Sequence, residues 1–150
     1  MGFKLSDRSI SRLDGVHSEL RAIVTDAAAR CPFSFIVTEG VRTKERQAEL
    51  YAQGRTKPGK KVTWSMDSRH LRSGPDSTGK AVDLCPCDAK GNPLWEDRAK
   101  FLALGKLMFS IAAERGIRIR WGYDWDGDGI TMEAGEYDGP HFELVRAVYP

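Results

Sequence analysis

At 150 residues and 16.7 kDa, the chain is about one domain in size and can bury about 70% of its unfolded surface, enough for a core without disulfide staples. Its 41% hydrophobic and 29% charged residues are ordinary for a soluble globular protein, and no apolar run approaches the ~18 residues needed to cross a bilayer. The net charge of +2 hides an asymmetry. Residues 124–138 hold six acids and no Lys or Arg, which leaves the remainder of the chain at +8. A basic body favours anionic polymers, but the basic residues are scattered and no nucleic-acid recognition motif is present.

Stable membrane insertion is not expected, because the N-terminus Met1-Gly2-Phe3-Lys4-Leu5-Ser6 has no apolar core of the kind an export signal needs. Its fit to a myristoylation pattern is short enough to be chance. Cys31, Cys85 and Cys87 are odd in number, and Cys85-Pro86-Cys87 has the wrong spacing for a redox or zinc knuckle. They read as small buried residues of a protein made in a reducing cytosol.

In chain order, apolar residues at Ile10, Leu13, Val16, Leu20, Ile23, Val24 and Ala27 predict one amphipathic helix starting at Ser6 or Asp7. His17 falls on its apolar face and reads as a packed core histidine. Phe33 to Thr38 predicts a strand. Thr43 caps a second helix that Gly54 ends, and Ala81-Val82-Asp83-Leu84 predicts a short strand. A third helix spans about Asp97 to Arg115, stopped by Gly116. Ile117 to Trp121 alternates as a strand, and His141 to Val145 is the last one. Short strands interleaved with helices predict an α+β fold, a small and largely antiparallel sheet flanked by about three helices, with 1–150 as one domain.

Single ligand candidates are weak, but their setting joins them. His70, Asp83 and His141 lie at the ends of predicted strands or glycine-rich turns. Two histidines and one carboxylate leave a zinc ion an open position, as catalytic sites do. Asp138 stands three residues before His141, and the Gly139-Pro140 turn can fold it back beside the metal as a proton acceptor.

Ser68-Arg69-His70 followed by Gly79-Lys80-Ala81-Val82-Asp83, with Asp138-Gly139-Pro140-His141-Phe142-Glu143, resembles the signature of the zinc peptidase family of D-alanyl-D-alanine carboxypeptidases and L-alanyl-D-glutamate endopeptidases. Leu50 to Gly59 and Arg120-Trp121-Gly122 are similar to its phage endolysin branch. The resemblance covers about residues 38 to 145. It implies zinc on His70, Asp83 and His141, Asp138 as base, and Arg42 pointing into the cleft to hold a substrate carboxylate or steady the oxyanion. The chain departs from the motif in one respect. Asp83 follows His70 by thirteen positions, and the insert, roughly Arg72 to Thr78, contains a rival carboxylate, Asp76. The Gly79-x-Ala81-x-Asp83 register favours Asp83, and Asp76 reads as a solvated turn residue.

Asp124-x-Asp126-x-Asp128-Gly129 has the oxygen spacing of a calcium loop. The full twelve-residue pattern would end on Glu where this chain has Gly135, so Glu133 is the expected closing ligand. Trp121, Tyr123, Trp125 and Tyr137 cluster nearby as peptide walls or sheet packing. Arg42, Ser68, Trp121 and Tyr137 are the expected substrate contacts. The resulting expectation is an endolysin-type peptidase that cuts the L-alanyl-D-glutamate bond of the peptidoglycan stem peptide. It would be a monomer held in the host cytoplasm until the inner membrane opens. The alternatives are a D-alanyl-D-alanine carboxypeptidase and a non-catalytic zinc-stabilised wall-binding module.

Overall fold

The computed structural model describes residues 2–63, 65–133 and 135–150. The element order is α1 (Asp7–Arg12), α2 (Ser18–Arg30), β1 (Phe35–Glu39), α3 (Lys44–Ala52), β2 (Arg72–Ser73), β3 (Thr78–Gly79), β4 (Ala81–Pro86), α4 (Arg98–Arg115), β5 (Ile119–Gly122) and β6 (Asp138–Leu144). Four strands form one antiparallel sheet in the order β1-β4-β6-β5, and β2 pairs with β3 as a separate hairpin. This is the expected α+β architecture, with four helices where about three were expected.

The extra helix comes from a break in the first. The apolar periodicity runs through residues 10–27, but Gly15 takes a left-handed φ of 78°, where a side chain is costly. Val16 then bridges Gly79, and the His17 amide donates to the Gly79 carbonyl at 2.9 Å. His17 therefore caps α2, its Nδ1 accepting from the Glu19 amide at 3.1 Å, with Nε2 facing Asp76. The core-histidine expectation is corrected: helical spacing cannot register a backbone bridge that interrupts it.

The other helix boundaries follow their caps. Thr43 Oγ1 accepts from the Arg46 amide, Asp97 accepts from the Lys100 amide, and Gly116 closes α4 at φ 69°. Helix α4 packs on β4, β5 and β6, with α2 against α4. The core between them includes Leu20, Ile23, Phe35, Val82, Leu84, Leu104, Met108, Ile111, Phe142 and Leu144. Side chains alternate across a strand, so with Phe142 and Leu144 in the core, His141 and Glu143 face the other side.

Trp121 belongs to the core. It is 3% exposed, stacks on Phe142 with ring centroids 5.8 Å apart, and its indole N–H donates to the Gly139 carbonyl at 2.8 Å. A Cβ on Gly105 of α4 would overlap that indole, which is why a glycine sits inside the helix despite its cost. Such an aromatic pair contributes about 0.5–1.5 kcal/mol beyond the area it buries. No helix among the described residues is long and apolar enough to cross a membrane.

Candidate active site

Three segments converge on the free face of the sheet. Asp83 of β4 and His141 of β6 are direct partners across the ladder. His70 arrives on a loop stitched at both sides: its carbonyl accepts from the Arg42 amide at 2.8 Å, and the Arg69 carbonyl accepts from the Lys80 amide at 2.8 Å. The Ser68 hydroxyl accepts from the His70 amide at 3.2 Å and holds the turn. His70 Nε2 and His141 Nδ1 each lie 3.3 Å from Asp83 Oδ1, and the two imidazoles meet edge to face at 5.1 Å.

Hydrogen bonding on the outer sides of the rings shows what belongs between them. His70 Nδ1 is 2.8 Å from the Gly40 carbonyl, and His141 Nε2 is 2.9 Å from Glu143 Oε1. Both partners can only accept, so each ring carries its proton on that outer nitrogen. Two imidazole lone pairs and a carboxylate oxygen then point at one spot, and Asp83 Oδ1 is buried with no hydrogen-bond partner. Without a cation the cluster draws in protons. Burial works against charge on either residue, but the two imidazoles beside Asp83, once protonated, hold it below the usual carboxylate range. Burial likewise opposes the His141 imidazolium, and Asp83 and Glu143 outweigh it, raising His141 to about 9. The donor set, its closeness and its orphaned oxygen fit a divalent metal ion.

The group opens into a cleft of about 330 Å³ whose walls include Arg42, Ser68, Arg120, Trp125, Asp138 and Arg146. Asp138 begins β6 beside the histidines. Asp138 is solvent-exposed as a residue, yet the protein around its carboxyl partly desolvates it and raises its pKa, opposed by the His141 charge, with Asp83 adding to the rise and His70 opposing it. A Cβ on Gly122 would overlap the Asp138 backbone, and one on Gly139 would overlap the Tyr123 ring, so both glycines permit the close approach that seats Asp138.

A family profile described as phage L-alanyl-D-glutamate peptidase matches residues 1–145. The chain belongs to that family. It is 32% identical over 151 residues to the L-alanyl-D-glutamate peptidase of Escherichia phage T5, covering 97% of this chain and 100% of the relative. It is 30% identical over 119 residues to the peptidoglycan L-alanyl-D-glutamate endopeptidase CwlK of Bacillus subtilis, covering 79% of this chain and 65% of that one. Among solved structures, the Serratia marcescens L-Ala D-Glu endopeptidase ChiX superposes with a TM-score of 0.76 at 30% identity, covering 99% of this chain and 94% of that chain.

Within this member of the phage L-alanyl-D-glutamate peptidase family, the expected site residues fare differently. His70, Asp83, His141, Asp138, Arg42 and Ser68 come together in the cleft. Asp76 lies elsewhere, bonded to Lys80 Nζ at 2.9 Å and facing His17. Trp121 is corrected from substrate contact to core residue, since its indole N–H is already used on Gly139. Tyr137 is 65% exposed and does not line the cleft. The aromatic wall is Trp125, whose ring lies 5.1 Å from His141 and also 5.1 Å from the Arg120 guanidinium.

Two positions escaped the sequence reading. Gln47 is fully buried on α3; its Oε1 accepts from Arg42 Nη1 at 2.7 Å, and its Nε2 donates to the Ser65 carbonyl at 2.6 Å. With Glu39 on the Arg42 Nε, this fixes the arginine. Glu136, 4% exposed, joins Asp124 and Asp126 in one acidic cluster, while Glu133 joins Asp126 and Asp128 in another. The expected single four-acid set is thus divided, because Glu136 folds under the loop and accepts from the amides of Asp126 and Glu133.

Proposed function

We propose that the chain is a zinc-dependent endopeptidase that hydrolyses the L-alanyl-D-glutamate bond of the peptidoglycan stem peptide. The observation that carries this reading is the convergence of two imidazole lone pairs and the unpartnered Asp83 oxygen beside Asp138, in a cleft that also presents Arg42. His70 Nε2, His141 Nδ1 and Asp83 would hold the ion. When bound, zinc supplies Lewis acidity, which lowers the pKa of water from about 15.7 towards about 7.

The chain's own groups do the rest. Asp138 accepts the proton of the attacking water and returns it to the leaving amine. Arg42 arrives preorganised by Glu39, Gln47 and Ser68. Its guanidinium suits the free carboxylate of the D-glutamate or the developing oxyanion, at no cost of ordering a loose side chain. Trp125 lines the cleft against His141 and restricts water there.

Digestion of purified peptidoglycan tests the reading. Fragments with a new D-glutamate amino terminus, and L-alanine retained on the glycan, support it. Release of free D-alanine alone would make the chain a carboxypeptidase, and no new terminus from zinc-loaded protein would leave only a binding module.

We further propose calcium in the 124–136 loop. Asp124 Oδ1 is buried without a partner, next to Asp126 and Glu136. Burial and the adjoining Asp126 and Asp128 carboxyls raise the Asp124 pKa, opposed by the Gly129 amide bonded to Asp124 Oδ2. A divalent cation would relieve that crowding.

A further inference from the structure

The bond between His141 and Glu143 is one edge of a larger charged cluster whose other members, Arg69 and Arg120, the metal-site reading does not use. Glu143 stands two residues after His141 on the same face of β6, is 5% exposed, and accepts from His141 Nε2 at 2.9 Å. Its other oxygen lies 3.7 Å from Arg69 Nε and 3.6 Å from Arg120 Nη1. Arg120 is its direct partner across the β5–β6 ladder. Arg69, 7% exposed, precedes His70 in the chain and donates from Nη2 to the carbonyls of Leu144 at 2.8 Å and Tyr149 at 2.7 Å.

Burying a carboxylate and a guanidinium is costly unless geometry repays it. Two apolar residues could fill this volume behind a strand. What they could not do is choose between the tautomers of His141. A histidine on a strand can swivel about χ2 and present either nitrogen to the cleft. Only an acceptor fixed beyond the ring makes one choice dominant. The two arginines hold that acceptor from different elements, Arg69 from the loop that also delivers His70 and Arg120 from the neighbouring strand.

We propose that Glu143, braced by Arg69 and Arg120, is a positioning residue that locks His141 with its proton on Nε2 and Nδ1 turned towards the metal. Glu143 borders the cleft, but it is 5% exposed and its carboxylate is taken up by His141, Arg69 and Arg120, so it acts through His141. Because Arg69 braces Glu143 and adjoins His70, the two histidine ligands share one support, and loosening it moves both. The proposal rests on the metal reading above, and its test separates the two.

The experiment is nitrogen–proton NMR of the histidine rings, combined with zinc competition against a chelator. The chain has three histidines; a His17→Gln variant removes the one outside the site, and through-bond correlation of each ring to its own backbone separates His70 from His141. In zinc-loaded wild-type protein the His141 proton is expected on Nε2. Glu143→Ala is expected to bind zinc 10–100-fold more weakly, the range for loss of a carboxylate behind a ligand histidine. Glu143→Gln keeps an acceptor for Nε2 and is expected to recover most of that loss. A wild-type His141 carrying its proton on Nδ1 would overturn the proposal. So would wild-type zinc affinity in Glu143→Ala, or a Gln variant no better than Ala. If Glu143→Ala fails to fold, the wild-type spectrum and the Gln variant still decide. Wild-type protein that takes up no zinc would overturn this proposal and the metal reading together.

Discussion

The indole of Trp125 lies against the imidazole of His141, ring centroids 5.1 Å apart, while the residues on either side of it, Asp124 and Asp126, belong to the acidic cluster. The 124–136 loop and the histidine site therefore share one side chain. Calcium bound to Asp124, Asp126 and Glu136 should fix Trp125 over His141, raise activity and change tryptophan fluorescence. Calorimetry on chelator-treated, zinc-reloaded protein checks this, and absence of heat at millimolar calcium would dismiss the idea. Trp125→Ala should abolish the calcium effect on activity while leaving calcium uptake intact.

Asp138→Asn should retain zinc and fold yet lose about 10²- to 10⁴-fold in kcat, since only the proton acceptor is removed. Stem-peptide hydrolysis with parallel metal analysis is the measurement. Near-normal turnover in a zinc-loaded variant would transfer the role to another group.

Asp76 and Asp83 should separate cleanly. Asp83→Ala should lose zinc by elemental analysis, whereas Asp76→Ala should keep it and lose stability, because Asp76 is the carboxylate partner of the buried Lys80 ammonium. The hydrogen bond from Lys80 lowers the Asp76 pKa from 3.8 to about 2. A depressed carboxylate stabilises the fold above its unfolded pKa, and that contribution is lost as pH falls through the folded value. Wild-type protein should therefore shed this component between pH 3.8 and about 2, and Asp76→Asn should lack it in acid melts.

Gln47→Leu should leave the Ser65 carbonyl and one Arg42 donor unanswered in a buried place, costing about 1–3 kcal/mol. The freed Arg42 should raise KM more than it lowers kcat. Chemical denaturation and steady-state kinetics check the two halves. Equal kinetics in Gln47→Leu would show that Arg42 needs no brace.

Much of this was legible in the chain. Local periodicity and caps placed α3, α4 and the main strands within a few residues, because Thr43, Asp97 and Gly116 act on their own neighbours. The His70, Asp83, His141 and Asp138 grouping was reachable through the motif resemblance, although Asp83 and His141 lie within β4 and β6 and not at the strand ends expected for them. The break at Gly15 was not, since it depends on Val16 meeting Gly79 far along the chain. Trp121 and Trp125 could not be told apart either. They are four positions apart in one aromatic-rich stretch, and only the fold sends Trp121 of β5 into the core and Trp125, in the turn beyond it, to the cleft. Gln47 gave no signal, because a polar residue that serves another polar residue has no periodicity of its own; Glu143 stood in the quoted motif, but its bond to His141 could not be read there.

The pairing of Asp83 with His141 across β4 and β6 also bears on how the chain reaches its native state. Those strands are far apart in sequence, so their union comes with a high loop-closure entropy and belongs to the slower part of folding. A slip of one residue in that ladder would turn His141 to the helix-covered side and bring Phe142 out. Such a misaligned sheet keeps most of its backbone bonds but cannot chelate an ion. Uptake of the proposed ion would then act as a proofreading step, drawing the population towards the one alignment that can bind it.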